Sequence, residues 1–264
     1  MQPMRTVGRC VNRWLPKRSS HLASATANDP PSTLARRRRV VGITAACGTG
    51  LLATSLSSRP GSKRFHRYSW TTAATWVVGG LLSGSQHRGW VEHGNGQLGR
   101  PVLAPIVTGV AAFGAFCAAG LAARRVPLLR HAIERVLLYA EHGHTRQILL
   151  LVWANALGEE VFFRGAVYPA CPAPHQVAVS TAMNAVATFG TRNPALVPAS
   201  LAMGTLFGLQ RRASGGIQAS ALTHLTWSTL MVLVFPRVFR ERTDRDTPHN
   251  STAVPAHTRA RVTT

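Results

Sequence analysis

Apolar residues gather into long runs along this chain, and the runs predict a set of membrane helices. The clearest run, residues 101–123, contains no charged side chain. A helix of that length, at about 1.5 Å per residue, is long enough to cross a bilayer. Further apolar runs occupy residues 40–58, 70–82, 148–157, 177–189, 196–209 and 217–235. The pattern predicts an all-α fold, a polytopic transmembrane helix bundle of about six or seven helical segments.

Two stretches leave the number of membrane crossings open. Residues 40–58 are rich in Gly, Ser, Thr and Ala, so this run either crosses the bilayer or lies shallow in it. Residues 124–147 are basic, and their apolar positions recur at helical spacing, which is typical of a helix at the membrane surface. The positive-inside rule favours the cytoplasm for residues 1–39, 59–69 and 124–147, and all three fit there only if 40–58 stays on one side.

Polar ends and an apolar centre divide the chain into four parts. Residues 1–39, which end in four consecutive arginines, and residues 237–264 are predicted to be disordered basic tails. Residues 40–146 hold the first membrane helices and the surface helix, and residues 147–236 hold the second group of membrane helices. This organisation predicts an integral protein of a bacterial plasma membrane with a cytoplasmic N-terminus.

The chain is strongly basic, with 30 Lys plus Arg against nine Asp plus Glu and a formal net charge of +21. Such an excess can indicate nucleic-acid binding. Here the arginines flank apolar runs, so topology signals and contact with anionic lipid are the simpler cause, and nucleic acid is not expected as a partner. The four cysteines form no CxxC pair and match no zinc or disulfide spacing, so neither a metal nor a cofactor is predicted.

Two of the nine acidic residues stand side by side directly after the run 148–157. An ionisable residue in a membrane segment costs roughly 2.5–3.5 kcal/mol on insertion scales, which makes it a functional candidate. On a helix, Glu160 and Arg164 stand at i,i+4 with the acid first, which favours an ion pair, whereas Glu159 lies about 100° further round without such a partner. A tethered carboxylate beside a free one suits a site where one acid positions groups and the other accepts a proton. A helix cap or a structural ion pair would explain only one of the two acids.

Few other polar side chains are embedded in the apolar second half of the chain. His224 lies well inside the last apolar run, and Ser228 follows it at i+4 on the same helical face. A lone histidine in a membrane helix can be a structural hydrogen-bonding group. The pair of glutamates in the same predicted bundle favours a functional role for it.

Together these residues resemble the CPBP membrane endopeptidases, the family of type II CAAX prenyl proteases and bacteriocin-processing (Abi) proteins. The resemblance covers about residues 147–236, and residues 158–165, Gly-Glu-Glu-Val-Phe-Phe-Arg-Gly, match the first motif, Glu-Glu-x-x-x-Arg, throughout. The second motif, Phe-x-x-x-His, aligns on residues 189–193 and puts Asn193 where the family has His. The third, His-x-x-x-Asn, aligns on His224 and puts Ser228 where the family has Asn.

The resemblance implies a membrane-embedded endopeptidase that cleaves a peptide or protein substrate without a covalent intermediate. In the family, the first glutamate and the second-motif histidine activate a water, and the last histidine and asparagine stabilise the oxyanion. By this analogy Glu159 is the base. Glu160 and Arg164 support it, and His224 is an oxyanion donor.

The two departures from the family motifs leave a second function open. Asn193 can orient a water but cannot share its proton, and Ser228 can donate a hydrogen bond but is shorter than asparagine. Loss of an acid–base partner typically costs about 10²–10⁴-fold in rate, and loss of an oxyanion donor roughly 10²–10³-fold. The chain is therefore either an endopeptidase or a catalytically impaired family member that acts as a non-enzymatic membrane binding protein for a peptide or a lipidated segment.

A third hypothesis is a basic membrane-surface protein whose arginine tails bind anionic lipid or nucleic acid. Its binding would fall steeply with salt and would survive deletion of residues 147–236. Other hydrolase and nucleotide-binding classes lack their motifs in this chain, which has no HExxH, no GxSxG and no Walker loop.

Overall fold

Helices make up nearly all of the structure, a computed structural model that describes residues 30–92 and 97–246. Over those residues, nine helices have at least twelve residues. In chain order the helices are α1 (Pro31–Leu56), α2 (Lys63–Ser83), α3 (Leu103–Ala123), α4 (Pro127–Glu141), α5 (Thr145–Glu159), the single turn α6 (Tyr168–Ala170), α7 (Gln176–Phe189), α8 (Leu196–Ser214), α9 (Gln218–Leu233) and α10 (Phe235–Asp246). A π-helix, Glu160–Val167, continues α5, and two short strands, Val91–Glu92 and Leu98–Gly99, pair antiparallel. The predicted all-α bundle is confirmed.

Helix α1 begins earlier than the pattern of apolar residues predicts. Pro31 occupies the first turn, where its fixed φ suits a helix and its missing N–H costs nothing. The four arginines that follow lie on α1: Arg37 is buried, and Arg38 Nε donates to the Ala170 carbonyl oxygen at 3.2 Å. Because these tertiary contacts hold the basic turn in place, the prediction of disorder is wrong for residues 31–39. Residues 1–29 lie outside the described residues.

Helix α10 likewise extends the fold beyond the predicted end of the membrane region. It runs from Phe235 to Asp246, and Phe235 and Phe239 are buried against Leu137 of α4. Buried aromatic area of this kind holds the segment helical despite its basic sequence. The prediction of disorder is therefore wrong for residues 237–246, and residues 247–264 lie outside the described part of the chain. Together α4 and α10 raise the number of helices above the predicted six or seven.

Among the residues that the structure describes, two helices, α1 and α3, are long and apolar enough to cross a membrane. Helix α3 buries mainly small residues: a Cβ on Gly109 would lie 2.7 Å from Cβ of Thr226 on α9. Its large apolar side chains face outward instead, and Leu103, Val107 and Val110 are all exposed. Close packing through small residues with apolar side chains turned outward is typical of a helix that contacts lipid.

The centre of the bundle brings the acidic motif and the last apolar helix together. Helix α2 packs on α1, α5 and the π-helix, and α9 packs on α3, α5 and α8. Trp76 of α2 is fully buried and stacks on Phe162 at 4.7 Å between ring centroids, with Phe163 at 5.3 Å. The aromatic pair of the motif therefore anchors the π-helix in the core.

Candidate active site

The two adjacent glutamates lie at the junction between α5 and the π-helix. Glu159 is the last residue of α5, and Glu160 is the first residue of the π-helix. Single π turns inside α-helices are rare and occur frequently at functional sites. Glu160 is fully buried, whereas Glu159 is half-buried and faces a cavity. The junction therefore sends two neighbouring carboxylates into different surroundings.

Glu160 forms the ion pair predicted from its i,i+4 spacing to Arg164. Nη1 of Arg164 lies 3.1 Å from Oε1 of Glu160, and both side chains are completely buried. Nη2 of the same guanidinium donates to the Gly204 carbonyl oxygen on α8 at 3.2 Å. Arg211 Nε, also from α8, donates to the Arg164 carbonyl oxygen at 3.0 Å. The pair therefore ties the π-helix to α8, and removing either partner would leave a buried charge uncompensated.

His224 is held by the same carboxylate. Its Nδ1 lies 3.2 Å from Oε1 of Glu160, and its ring stacks on Phe207 at 4.7 Å between centroids with an interplanar angle of 27°. A carboxylate that is already paired with Arg164 is an acceptor, so the ring nitrogen that carries the donated proton is Nδ1. This assignment of the tautomer rests on the hydrogen bond. It leaves Nε2 as the ring nitrogen available to a substrate.

A cavity of about 720 Å³ is lined by three of the predicted site residues. They are Glu159, His224 and Ser228, and they lie among mostly apolar side chains from α1 to α5 and α8 to α10. Within the described residues, the Glu159 carboxylate makes no hydrogen bond or ion pair, and neither does the Ser228 hydroxyl. The cavity thus offers a free carboxylate, a hydroxyl and an oriented imidazole in apolar surroundings. No group of three or more His, Cys, Asp or Glu side chains in residues 30–92 and 97–246 is arranged to hold a metal ion.

Asn193 is not among the residues that line this cavity. It is buried in the loop between α7 and α8, where its Nδ2 donates to the Ala132 carbonyl oxygen at 2.9 Å. Its Oδ1 accepts from the backbone N–H of Ala195, also at 2.9 Å. Both ends of the carboxamide are therefore engaged in holding the loop against α4, and the structure does not bring Asn193 together with Glu159 and His224.

Asn155 is a cavity-lining residue that sequence reasoning missed. It precedes Glu159 by one helical turn, and its Nδ2 donates to the carbonyl oxygens of Leu151 at 2.9 Å and of Ser69 at 3.2 Å. The Oδ1 atom makes no hydrogen bond to a described residue. A polar residue four positions before the acid, inside an apolar run, was the available signal.

Tyr139 closes another part of the cavity wall, from the surface helix α4. Its hydroxyl lies 2.7 Å from the carbonyl oxygens of both Leu56 and Ser58, at the end of α1. Burial raises the pKa of this hydroxyl, and the nearby Arg135 opposes the rise. Tyr139 therefore remains a protonated donor at neutral pH and fastens α4 to α1.

The site lies within a segment that matches a known protein family. No curated protein and no solved structure matches the chain. Residues 142–230 match the family described as Type II CAAX prenyl endopeptidase Rce1-like. The segment contains both glutamates, Arg164, His224 and Ser228, and with the apolar helices α1 and α3 it indicates an integral membrane protein with peptide substrates. The chain is therefore similar to the Rce1-like family of type II CAAX prenyl endopeptidases over residues 142–230, which are 89 of its 264 residues.

Proposed function

We propose that this protein is a membrane-embedded, CAAX-type endopeptidase in which Glu159 activates the attacking water. The observation that carries the proposal is the free Glu159 carboxylate, which faces the same apolar cavity as His224 and Ser228. A carboxylate with no competing partner is available to accept a proton. The mostly apolar lining suits an apolar segment of a substrate, and it keeps bulk water away from the reacting groups.

The proposed reaction begins with a water hydrogen-bonded to Glu159. The Glu159 carboxylate takes one proton from this water while the water oxygen bonds to the carbonyl carbon of the substrate. The electron pair of the carbonyl double bond moves onto the carbonyl oxygen. The Ser228 hydroxyl is a donor for this oxyanion, and Nε2–H of His224 is a second donor when the ring carries a proton on both nitrogens. The tetrahedral intermediate then collapses, the C–N bond breaks, and Glu159 returns its proton to the leaving amine. The products are a carboxylic acid and an amine, and transfer of the acid proton to the amine leaves a carboxylate and an ammonium group.

The buried pair of Glu160 and Arg164 keeps His224 in position for this step. Glu160 fixes Nδ1, so that Nε2 is the nitrogen offered to the cavity. With His224 protonated, the two carboxylates and the two cations sum to zero charge, which suits a site surrounded by apolar side chains. In this arrangement the orienting carboxylate and the reacting carboxylate are different residues.

Asn155 is our candidate for the second contact that the attacking water needs. Its fixed Nδ2 leaves Oδ1 as an acceptor on the same helical face as Glu159. A carboxamide can orient a water but takes no proton from it. Proton transfer in the proposed reaction therefore rests on Glu159 alone, and we expect slower cleavage than in a site that also offers a histidine.

The test is cleavage of a broad peptide set by the purified protein in liposomes, with Glu159→Gln as the variant. This substitution keeps the shape of the side chain and removes the base, so we expect cleavage to fall by roughly 10²–10⁴-fold. Glu134→Gln is the matched control, because Glu134 is a partly exposed residue of α4 that lies outside the cavity and, among the described residues, pairs with Arg130. Cleavage that persists in Glu159→Gln, or falls equally in the control, would contradict the proposed mechanism.

A second candidate function is peptide binding without cleavage. Two observations favour it: Asn193 stands in the position of the second-motif histidine with its side chain engaged elsewhere, and Ser228 replaces the last asparagine. In this case the wild-type protein would be inert towards every peptide in the set and would still retain some of them. Glu159→Gln would then leave peptide retention unchanged.

A further inference from the structure

A second cavity, of about 630 Å³, is lined by basic and hydroxyl side chains instead of apolar ones. Three arginines line it, and each comes from a different part of the chain. Arg59 lies in the loop between α1 and α2, Arg64 lies in the first turn of α2, and Arg192 lies in the loop after α7. None of the described residues that line it is acidic.

The three guanidinium groups of this cavity lack an anionic partner among the described residues. None of them makes a side-chain hydrogen bond or an ion pair there, and Arg64 only covers the ring of Tyr68 at 5.6 Å. Three like charges around one cavity repel each other unless an anion lies between them. Guanidinium groups present fork-like donors that match the oxygens of a phosphate.

Ser62 adds a neutral donor at the same cavity. It is the N-cap of α2, and its Oγ accepts from the Phe65 backbone N–H at 3.1 Å, which leaves the hydroxyl proton free. The other hydroxyls of the lining already donate to backbone carbonyls one turn earlier on α1. Helix N-termini favour negative charge, so the start of α2 adds to the attraction that the arginines provide.

The backbone of Arg192 indicates that its position is built into the fold. Its φ is 55°, in the left-handed region that residues with side chains rarely adopt. The neighbouring Asn193 holds this conformation, because its side chain binds both the Ala132 carbonyl oxygen and the Ala195 N–H. A backbone outlier that surrounding contacts maintain is an observation from which function can be inferred.

The position of the cavity indicates the source of its anion. It opens beside Ser57 and Ser58, directly after the last residue of α1, a helix of membrane-spanning length. Whether α1 crosses the bilayer or lies along its surface, its end lies near the level of the lipid headgroups. We propose that this second cavity binds the phosphate of an anionic phospholipid, through Arg59, Arg64, Arg192 and the Ser62 hydroxyl.

The experiment measures lipid retention by the full-length protein. The protein is purified in a neutral detergent, and native mass spectrometry follows a titration with phosphatidylglycerol. Zwitterionic phosphatidylcholine, whose phosphate is balanced by choline, is the comparison without net charge. The variant is Arg59→Gln with Arg192→Gln. The matched control is Arg125→Gln with Arg146→Gln, which removes the same charge from exposed positions outside the cavity. We expect phosphatidylglycerol to bind the wild type and the control alike, and the cavity variant roughly 10-fold or more weakly.

Parallel titrations distinguish the sources of the anion. Two results together would identify a free phosphate site and overturn the lipid assignment. Inorganic phosphate would displace phosphatidylglycerol at millimolar concentration, and the cavity variant would bind inorganic phosphate more weakly than the wild type does. A peptide with a free C-terminal carboxylate that is retained in place of the lipid would assign the cavity to substrate. Equal lipid retention by wild type and cavity variant, or an equal loss in the control, would also overturn the proposal. Peptide cleavage is not a readout here, so this result is independent of the proposed activity.

Discussion

Asn193 aligns with the histidine of the second motif, but in the structure its side chain holds a loop against α4. Its carboxamide binds Ala132 and Ala195, and it does not line the cavity that Glu159 and His224 share. Asn193→Ala would leave the part-buried N–H of Ala195 without its partner and would remove the bond that ties the loop to the Ala132 carbonyl of α4. An unsatisfied polar group of this kind costs roughly 1–3 kcal/mol when it is buried. We therefore expect a clear fall in thermal stability in detergent, measured as Tm.

Asn193→His tests, by its effect on peptide cleavage, whether residue 193 only holds the loop in position. A histidine in this position would lie in the loop against α4 instead of beside Glu159, so we expect no gain in peptide cleavage and a Tm lowered as in Asn193→Ala. A tenfold or larger gain in cleavage that depends on Glu159 would show that residue 193 reaches the attacking water. The assignment of Asn193 to loop positioning would then be wrong.

The residues of the site differ in how far the sequence predicts their contacts. The pair of Glu160 and Arg164 follows from a spacing of four on one helix, so the local pattern was sufficient. The bond between His224 and Glu160 joins residues 64 apart, and the bond between Asn193 and Ala132 joins residues 61 apart. Such contacts depend on how helices pack, which hydrophobic periodicity does not specify.

At the scale of elements, the acidic motif depends on close contact between α5 and α2. A Cβ on Gly158, the residue before the glutamates, would lie 2.9 Å from the Ala73 carbonyl oxygen of α2. Because the obstacle is backbone, Gly158→Ala must push the two helices apart. Overpacking of this kind typically costs about 1–3 kcal/mol, and each kcal/mol lowers Tm by about 2–4 °C in a chain of this size. We expect cleavage to fall as well, because Glu159 moves with its helix.

Gly114→Ala is the matched control for Gly158→Ala. Gly114 lies within α3, and a Cβ there would meet nothing within 4 Å. Alanine favours a helix over glycine by about 0.8–1.0 kcal/mol, so we expect Tm to stay the same or rise. Equal effects of the two substitutions would contradict the role of close helix contact at Gly158.

The sequence predicts a helix well where the apolar pattern alone decides which of its residues are buried, in lipid or in the protein core. Helix α3 matches its predicted run closely, since an apolar helix of span length needs no other information to form in a membrane. The starts of α1 and α10 were not predictable in the same way. The start of α1 is held by the hydrogen bond from Arg38 to the Ala170 carbonyl oxygen, and α10 is held by the packing of Phe239 against Leu137. Both contacts join residues that are distant in sequence.

At the scale of the whole molecule, the distribution of arginine predicts how the bundle is oriented. Residues 124–146 carry five arginines, whereas residues 84–102, before α3, carry two. Because α3 separates these segments, the positive-inside rule places residues 124–146 in the cytoplasm and residues 84–102 outside. The measurement is labelling by a membrane-impermeant maleimide in spheroplasts, on a background in which the four native cysteines are replaced by serine. We expect Leu98→Cys to react in intact spheroplasts and Arg125→Cys to react only after lysis; the reverse pattern would contradict the orientation.

A third probe in the same experiment establishes the path of α1. The predicted cytoplasmic N-terminus and the basic stretch 59–67 share one side only if α1 does not cross, although α1 has the length of a span. Ser57 is exposed at the end of α1, so Ser57→Cys reports the side on which the helix ends. We expect labelling only after lysis, together with protection of an N-terminal affinity tag from added protease until lysis. Labelling of Ser57→Cys in intact spheroplasts with a protected tag would show that α1 crosses. Basic residues 59–67 would then lie outside, and lipid phosphate in the second cavity would come from the outer leaflet.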